Sequence, residues 1–323
     1  MLTADPATIR HLLQLEGHSA TELTALAKRA AELNHEPDRG PGHGPLAGKT
    51  LANLFFEDST RTRLSFTRAA QRMGMHVLDL YAKSSSVSKG ETLLDTARNV
   101  HAMGVDAIVV RCTPSGGPAL LADHLDCSII NAGDGKHEHP TQGLLDLMTL
   151  LEHFKVGQTI TGDELHGKRI AIVGDIDSSR VARSNIHALT TLGAHVVLIG
   201  PPKLVPETFL EITKHLDPPV GSVEIAHDLD AVLADLDAIM MLRVQFERHE
   251  RDIIGPDYAD KFGLNQARAA QLKPTAPVLH PGPINRDFEL ASAVADDPKR
   301  SLIMQQVSNG VVVRMAVLEK LLA

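Results

Sequence analysis

The sequence predicts an α/β protein of two domains, each a parallel sheet flanked by helices. Its 323 residues, 43% of them hydrophobic, exceed the length of roughly 150 residues that is usual for one domain. Short apolar strands alternate with helices in both halves, which is the pattern of a parallel sheet. The polar residues 155–167 interrupt this alternation. We therefore expect domains at residues 1–147 and 148–304, with ligands beyond the carboxyl ends of the strands, between the domains.

The elements can be placed in order along the chain. Ser19 and Glu22 form a capping box that begins the first helix, whose apolar residues recur at helical spacing. Residues 35–48 are rich in Pro and Gly and predict a loop. Strand patterns and helical stripes then alternate. The predicted strands are residues 51–56, 75–81, 107–110, 128–131, 169–173, 195–199 and 238–242, and the later helices are residues 66–73, 140–153, 181–192 and 308–323.

Composition argues against several classes of protein. The formal net charge of −8, with two Tyr and no Trp, disfavours a nucleic-acid partner, which needs basic patches and stacking aromatics. No segment reaches the roughly 18 apolar residues of a membrane span, and the N-terminus lacks a signal-peptide pattern. Cys112 and Cys127 show no CxxC spacing, so neither a disulfide framework nor a cysteine zinc site is expected. We expect a soluble cytoplasmic protein.

A cluster of hydroxyl and guanidinium groups stands where the first predicted strand turns into a helix. It consists of Ser59, Thr60, Arg61, Thr62 and Arg63. The free N–H groups and the dipole of a helix start favour an anion, and these side chains add charge-assisted hydrogen bonds. The segment therefore predicts a phosphate site without a glycine-rich loop. An ordinary helix cap beside two solvated arginines is the alternative.

Three separated motifs occur together in one known family. The cluster lies in the segment FFEDSTRTRLSF, Arg111 ends a later strand, and His139 opens the segment HPTQ. In this order they resemble the carbamoyl phosphate motifs of the aspartate and ornithine carbamoyltransferases. The resemblance implies an active site between the domains, residues 305–323 packed back on the first domain, and no cofactor or metal. It implies a carbamoyl phosphate site of Ser59, Thr60, Arg61, Thr62, Arg111, His139, Gln142 and Gly282.

The expected chemistry is carbamoyl transfer. A tetrahedral centre forms whose oxygen becomes negative, so fixed donors lower the barrier. Thr62, Arg111 and His139 are the candidate donors and, with Arg61, the candidate catalytic residues. Gln142 and a backbone carbonyl of the HPGP turn can hold the carbamoyl NH2, and the departing phosphate can accept a proton, so no enzyme nucleophile is needed. A purely structural histidine at a helix start is the alternative for His139.

Polar residues follow two strands of the second half. Arg180 comes after strand 169–173, and Arg243 and Gln245 come after strand 238–242, where ligands bind. Two arginines suit a dicarboxylate such as aspartate, and surface ion pairs are the alternative. The segment MLRVQFER resembles the RVQxER motif of the aspartate enzymes, whereas an ornithine enzyme is expected to carry an SMG motif and a Cys within HCLP.

The resemblance therefore implies transfer to L-aspartate, which gives N-carbamoyl-L-aspartate and phosphate in de novo pyrimidine biosynthesis. The implied aspartate-binding residues are Lys89, Arg180, Arg243, Gln245 and Pro283.

The segment 82–90 is serine-rich and cationic, which is typical of a solvated loop. In the family, the matching loop reaches the active site of a neighbouring subunit. The resemblance thus implies a homotrimer in which Lys89 and Ser86, or its neighbour Ser85, serve the adjacent subunit. The sequence leaves open whether such a trimer joins a regulatory or dihydroorotase-like partner.

Two residues depart from the usual family pattern. Asp58 stands before the phosphate motif where relatives often carry Pro, Asn or Ala, and its charge opposes anion binding. Ser178 replaces a frequent His. Both bear on affinity. A non-catalytic homologue is a further alternative, but such a chain should have lost part of the phosphate motif, which is complete here.

Two other patterns fail on context. Residues 162–168 resemble the start of a P-loop but lack its Ser or Thr and precede a strand. His137 and His139 have no HExxH pattern and no cysteine nearby, so they do not predict a metal site.

Overall fold

The computed structural model describes residues 10–38, 40, 42–81, 90–157, 159–213, 220–246 and 254–323. These residues divide into two compact units. The first unit holds the described residues of Met1–Leu15, Ala25–Met148 and Ser308–Ala323. The second holds Glu16–Thr24 and the described residues of Thr149–Val307.

The first unit contains a four-stranded parallel sheet. The elements in chain order are α1 (Ala20–His35), β1 (Thr50–Phe55), α2 (Arg61–Arg72), β2 (His76–Tyr81), α3 (Leu93–His101), β3 (Ala107–Cys112), α4 (Gly117–Ala122), β4 (Ser128–Asp134) and α5 (Pro140–Phe154). The strands pair in the order β2-β1-β3-β4. Because the strands are parallel, the carboxyl ends of β1, β3 and β4 lie along one edge of the sheet, where the loops to α2, α4 and α5 begin.

Apolar burial explains why these segments form strands. β3 reads AIVVRC, and its first four residues are buried, as expected for a strand covered by helices on both faces. Ala97 and Val100 of α3 pack with Leu54 and Ile108 of the sheet. This core gives the loops at the carboxyl edge a rigid support.

The second unit contains a five-stranded parallel sheet. Its remaining elements are β5 (Arg169–Val173), α6 (Arg180–Thr191), β6 (His195–Ile199), β7 (Ser222–Ala226), β8 (Ala238–Met241), α7 (Tyr258–Phe262), α8 (Gln266–Ala269), β9 (Val278–Leu279) and α9 (Ser292–Ala295), and the chain ends with α10 (Ile303–Leu322). The strands pair in the order β7-β6-β5-β8-β9. Val173 and Met241 stand side by side at the carboxyl ends of β5 and β8.

The predicted fold class is confirmed, because both sheets are parallel and flanked by helices. β7 and β9 were not predicted, and α10 begins at Ile303, five residues before the expected residue 308. Cys112 and Cys127 are free, buried thiols. None of the helices in the described part of the chain is long and apolar enough to cross a membrane.

Candidate functional site

The N-terminus of α2 follows β1 and carries the predicted phosphate cluster. Thr60 is the N-cap residue and Arg61 begins the helix. In the described structure, the Thr60 side chain makes no capping hydrogen bond and the first turn has no acidic residue. Thr60 and Arg61 are exposed, Ser59 is half-buried and Thr62 is buried. The positive end of the helix dipole and the donors of the first turn therefore suit an anion.

Arg111 lies beside this helix start because β1 and β3 are neighbours. It stands opposite Phe55 in the sheet, and Phe56 donates its N–H to the Arg111 carbonyl at 2.9 Å. The Arg111 Nε donates to Glu57 Oε2 at 3.2 Å, and both side chains are 18% exposed. Glu57 thus orients Arg111. Sequence reasoning missed this role, although Glu57 belongs to the same motif as Ser59.

His139 and Thr62 meet in the first unit although 77 positions separate them. His139 directly precedes α5, and its Nε2 lies 3.4 Å from Thr62 Oγ1. Both side chains are buried, at 4% and 7% exposure. Two of the three predicted donors for the carbonyl oxygen are therefore adjacent, away from bulk water.

A buried carboxylate shapes the turn that leads to His139. Asp134, at the end of β4, accepts the Asn131 amide at 2.8 Å and the Gly116 N–H at 2.7 Å. It also accepts the Glu138 N–H at 3.2 Å, and His137 Nδ1 lies 3.1 Å away. Burial raises the pKa of Asp134, but the hydrogen bonds from His137, Gly116 and Asn131 outweigh it and hold the pKa below its usual value.

Gln142 lies on the first turn of α5, three residues after His139. Its Nε2 donates to Asp146 Oδ1 at 2.8 Å. Gln142 is 9% exposed and Asp146 is fully buried. The amide is therefore held by a carboxylate one helical turn away, which sequence reasoning did not single out.

In the second unit, the predicted aspartate-binding residues follow β5 and β8. Arg180 begins α6 and is buried, after the N-cap Ser179, which accepts the Ala182 N–H at 3.0 Å. Gln245, after β8, donates its Nε2 to the Ser178 carbonyl at 3.2 Å. Arg243, between β8 and Gln245, is half-buried. Because β5 and β8 are neighbours, the two segments lie at one edge of the sheet.

The HPGP turn follows β9 and is held by a buried histidine. The Gly282 N–H donates to His280 Nδ1 at 2.8 Å, so the ring proton stands on Nε2. This Nε2 donates to Glu289 Oε1 at 3.2 Å, and both side chains are fully buried. Glu289 Oε1 also accepts the Asn285 N–H at 2.6 Å. The peptide bond between Gly282 and Pro283 is cis.

Ser86 and Lys89, together with Ser85, lie outside the described residues. Within the described ranges, no group of three or more His, Cys, Asp and Glu side chains is placed to hold a metal ion. His137 contacts Asp134 instead.

Two family models match this chain in sequence order. The carbamoyl-P binding domain of aspartate/ornithine carbamoyltransferase matches residues 10–152, and the Asp/Orn binding domain matches residues 166–321. The chain therefore belongs to the aspartate/ornithine carbamoyltransferase family.

Within this family, the chain is similar to aspartate carbamoyltransferase catalytic subunits. It is 51% identical to that of Myxococcus xanthus over 96% of this chain and 99% of the relative. It is 48% identical to that of Opitutus terrae over 97% and 95% of the two chains. A crystal structure of aspartate transcarbamoylase from Trypanosoma cruzi with carbamoyl aspartate and phosphate has a TM-score of 0.87 at 30% identity, over 98% of this chain and 97% of that one.

Proposed function

We propose that this chain transfers the carbamoyl group of carbamoyl phosphate to the amino group of L-aspartate, giving N-carbamoyl-L-aspartate and phosphate in de novo pyrimidine biosynthesis. The observation that carries the proposal is the meeting of Thr62 and His139 beside the open start of α2. The similar Trypanosoma cruzi enzyme has been solved with carbamoyl phosphate and aspartate. That similarity supports the same pair of substrates here.

The phosphate group is proposed to bind at the start of α2. Ser59, Thr60, Arg61 and Thr62 supply hydroxyl, guanidinium and backbone donors, and the helix dipole adds partial positive charge. The exposure of Thr60 and Arg61 leaves their donors accessible to a ligand. Asp58 is also exposed, so solvent weakens its repulsion of the anion.

The carbonyl oxygen is proposed to lie among Thr62, Arg111 and His139. When the aspartate amine attacks the carbonyl carbon, this oxygen gains negative charge, and the three donors stabilise it. The tetrahedral centre then collapses as the bond to the phosphate oxygen breaks. The phosphate leaves with the electron pair of that bond and can take the proton that the amine gives up. Gln142 and the Gly282 carbonyl are proposed to accept from the carbamoyl NH2.

L-Aspartate is proposed to bind through Lys89, Arg180, Arg243, Gln245 and Pro283. The arginines suit the two carboxylates, and the hydrogen bond from Gln245 to Ser178 fixes the Gln245 amide beside them. Because an ornithine side chain is cationic, these arginines would repel it. Ornithine is therefore the weaker candidate for the second substrate.

The direct test offers aspartate and ornithine in parallel with carbamoyl phosphate. Phosphate release and the mass of the carbamoylated product are measured. We expect turnover with aspartate and at most trace turnover with ornithine. Turnover with ornithine alone would refute the substrate assignment, and turnover with neither would refute carbamoyl transfer.

The oligomeric proposal is a homotrimer in which Lys89 and Ser86 act in the neighbouring subunit. Lys89→Ala and Arg61→Ala, each inactive alone, should regain activity when mixed, because one interface in every mixed trimer joins an intact loop to an intact phosphate site. Each mixed trimer should have about a third of its sites active, so a random 1:1 mixture, in which about a quarter of the trimers stay pure, should recover about a quarter of wild-type sites. Mixed trimers that form but stay inactive would show that Lys89 serves its own subunit.

A further inference from the structure

The Gln142 side chain is held by one partner of defined chemistry. Its Nε2 donates to Asp146 Oδ1 at 2.8 Å, across one turn of α5. Asp146 is fully buried and Gln142 is nearly so. An ionised carboxylate only accepts hydrogen bonds, so it can bind the nitrogen of the amide but not its oxygen. The Gln142 amide is therefore oriented with its Nε2 toward Asp146 and its Oε1 pointing away from Asp146.

A buried arginine compensates the charge of Asp146. Arg314 of α10 is 3% exposed, lies over the Phe66 ring at 4.9 Å and donates to the Gly310 carbonyl at 2.9 Å. Burial lowers the pKa of Arg314 to about 9, while the Asp146 charge acts to raise it. The guanidinium is thus still charged at neutral pH, and its attraction offsets part of the cost of burying a carboxylate.

We infer that Asp146 is a positioning residue that makes the active site select a carbamoyl group over acyl groups without an NH2. By holding Gln142 Nε2, it leaves Gln142 Oε1 as the acceptor for the carbamoyl NH2. With the amide reversed, Nε2 would face that NH2, and two donors would oppose each other. The inference rests on the role proposed above for Gln142.

A merely structural role for Asp146 makes a different prediction. If the carboxylate only stabilised α5, its loss would disturb the site for any acyl phosphate. If it orients the Gln142 amide, the loss should fall on ligands that carry the NH2. Acetyl phosphate is the appropriate probe, because it has a methyl group where carbamoyl phosphate has the NH2.

The experiment compares Asp146→Asn with wild type. The Asn amide can donate as well as accept, so it allows Gln142 to reverse while keeping the side-chain shape. We expect kcat/KM for carbamoyl phosphate at saturating aspartate to fall about ten- to hundredfold, the range of one lost hydrogen bond with an unsatisfied group. The dissociation constant of acetyl phosphate, from calorimetry, should change less than about threefold, which also shows that the site is folded.

Asp79→Asn is the matched control. Asn53 donates its amide nitrogen to Asp79 Oδ1 at 2.9 Å between β1 and β2, a bond of the same kind outside the proposed site. In this variant, the ratio of kcat/KM for carbamoyl phosphate to the affinity for acetyl phosphate should be the same as in wild type. In addition, Gln142→Met should lose little further activity when combined with Asp146→Asn, since both changes remove the same acceptor.

The outcomes separate the two levels of the proposal. Wild type without carbamoyl transfer to aspartate would refute the proposed function. If wild type is active but Asp146→Asn loses affinity for carbamoyl phosphate and acetyl phosphate to the same extent, only the positioning role is refuted. The same holds if Asp146→Asn keeps the full kcat/KM for carbamoyl phosphate. Complete inactivity of Asp146→Asn with unchanged acetyl phosphate binding would support it.

Discussion

Glu289 is a buried residue that fixes the HPGP turn through His280. One of its carboxylate oxygens accepts both the His280 ring proton and the Asn285 N–H. His280 in turn accepts the Gly282 N–H. Glu289→Ala removes the acceptor from the buried His280 ring N–H and from the partly buried Asn285 N–H, whereas Glu289→Gln keeps an amide oxygen that can accept from both.

The size of the effect follows from this burial. His280 and Glu289 side chains have no solvent exposure, so water cannot replace the lost acceptor. Leaving a buried donor without its acceptor typically costs about 1–3 kcal/mol, and because Glu289→Ala affects two donors we expect a loss of about 2–4 kcal/mol. Glu289→Gln weakens two hydrogen bonds without breaking them and should cost about 1 kcal/mol.

Tyrosine fluorescence can follow the second unit alone. The chain has two tyrosines and no tryptophan, so a Tyr81→Phe background leaves only Tyr258. This ring is buried and stacks on Phe288 at 5.5 Å between centroids. Urea unfolding in that background should give the free energies stated above, and Glu289→Ala should raise the aspartate KM more than Glu289→Gln. Equal losses for the two variants, or a loss below about 1 kcal/mol for Ala, would refute the reasoning.

Three further predictions concern single side chains. Arg61→Ala should lower kcat about a hundredfold or more, because it removes a charged donor from the phosphate; near-normal steady-state rates in the folded variant would rule this out. Arg243→Ala should raise the KM for aspartate about tenfold or more and leave the KM for carbamoyl phosphate nearly unchanged. An equal rise in both KM values would exclude a selective role for Arg243. His11 accepts the Ile129 N–H through Nδ1 at 3.1 Å, and burial and the Arg10 charge lower its pKa against the weaker effect of Asp123. The contribution of His11 to the free energy of unfolding is therefore full above the unfolded pKa of about 6.5 and is lost as the pH falls through the lower folded pKa. His11→Asn keeps an acceptor for the Ile129 N–H but does not titrate, so this part of the pH dependence of urea unfolding should disappear.

The predictable strands are those buried on both faces. β3, β5 and β8 read as continuous apolar runs because helices cover both sides of a parallel sheet. The residues of β7 are all exposed or half-buried, since this strand lies at the edge of the described sheet and pairs with β6, and β9 has two residues. Neither carries enough apolar sequence to be recognised.

The start of α10 differs from the prediction because packing outweighs the local sequence signal for a helix boundary. Ser308 and Gly310 favour a helix boundary there, yet the helix runs from Ile303 through both. A Cβ on Gly310 would collide with the Arg314 guanidinium and approach Leu145. The glycine thus leaves room for the buried Arg314 guanidinium inside the helix, which a rule for helix ends cannot detect.

The motifs of the candidate site were visible in the sequence, but the side chains that orient them mostly were not. Gln142 and Asp146 are four residues apart on a predicted helix, so their contact was within reach of a spacing argument. Glu57 and Arg111 are 54 positions apart, and their meeting depends on the register of β1 against β3. Such pairs require the folded sheet to be known.

Asp134 is another residue whose hydrogen-bond partners could not be predicted from the sequence, and its contacts lead to a prediction about the turn before His139. Its partners Gly116, Asn131 and Glu138 meet only in the folded loop before His139. Asp134→Asn places an NH2 among donors, so we expect a loss of about 1–3 kcal/mol and a lower kcat from a displaced His139. Because the folded pKa of Asp134 is below its usual value, this contribution is full above the unfolded pKa of about 3.9 and lost as the pH falls through the folded value. The difference in unfolding free energy between wild type and Asp134→Asn should therefore be constant near neutral pH and shrink in acid. A difference that does not change down to the acid transition would show that the Asp134 charge does not hold this turn.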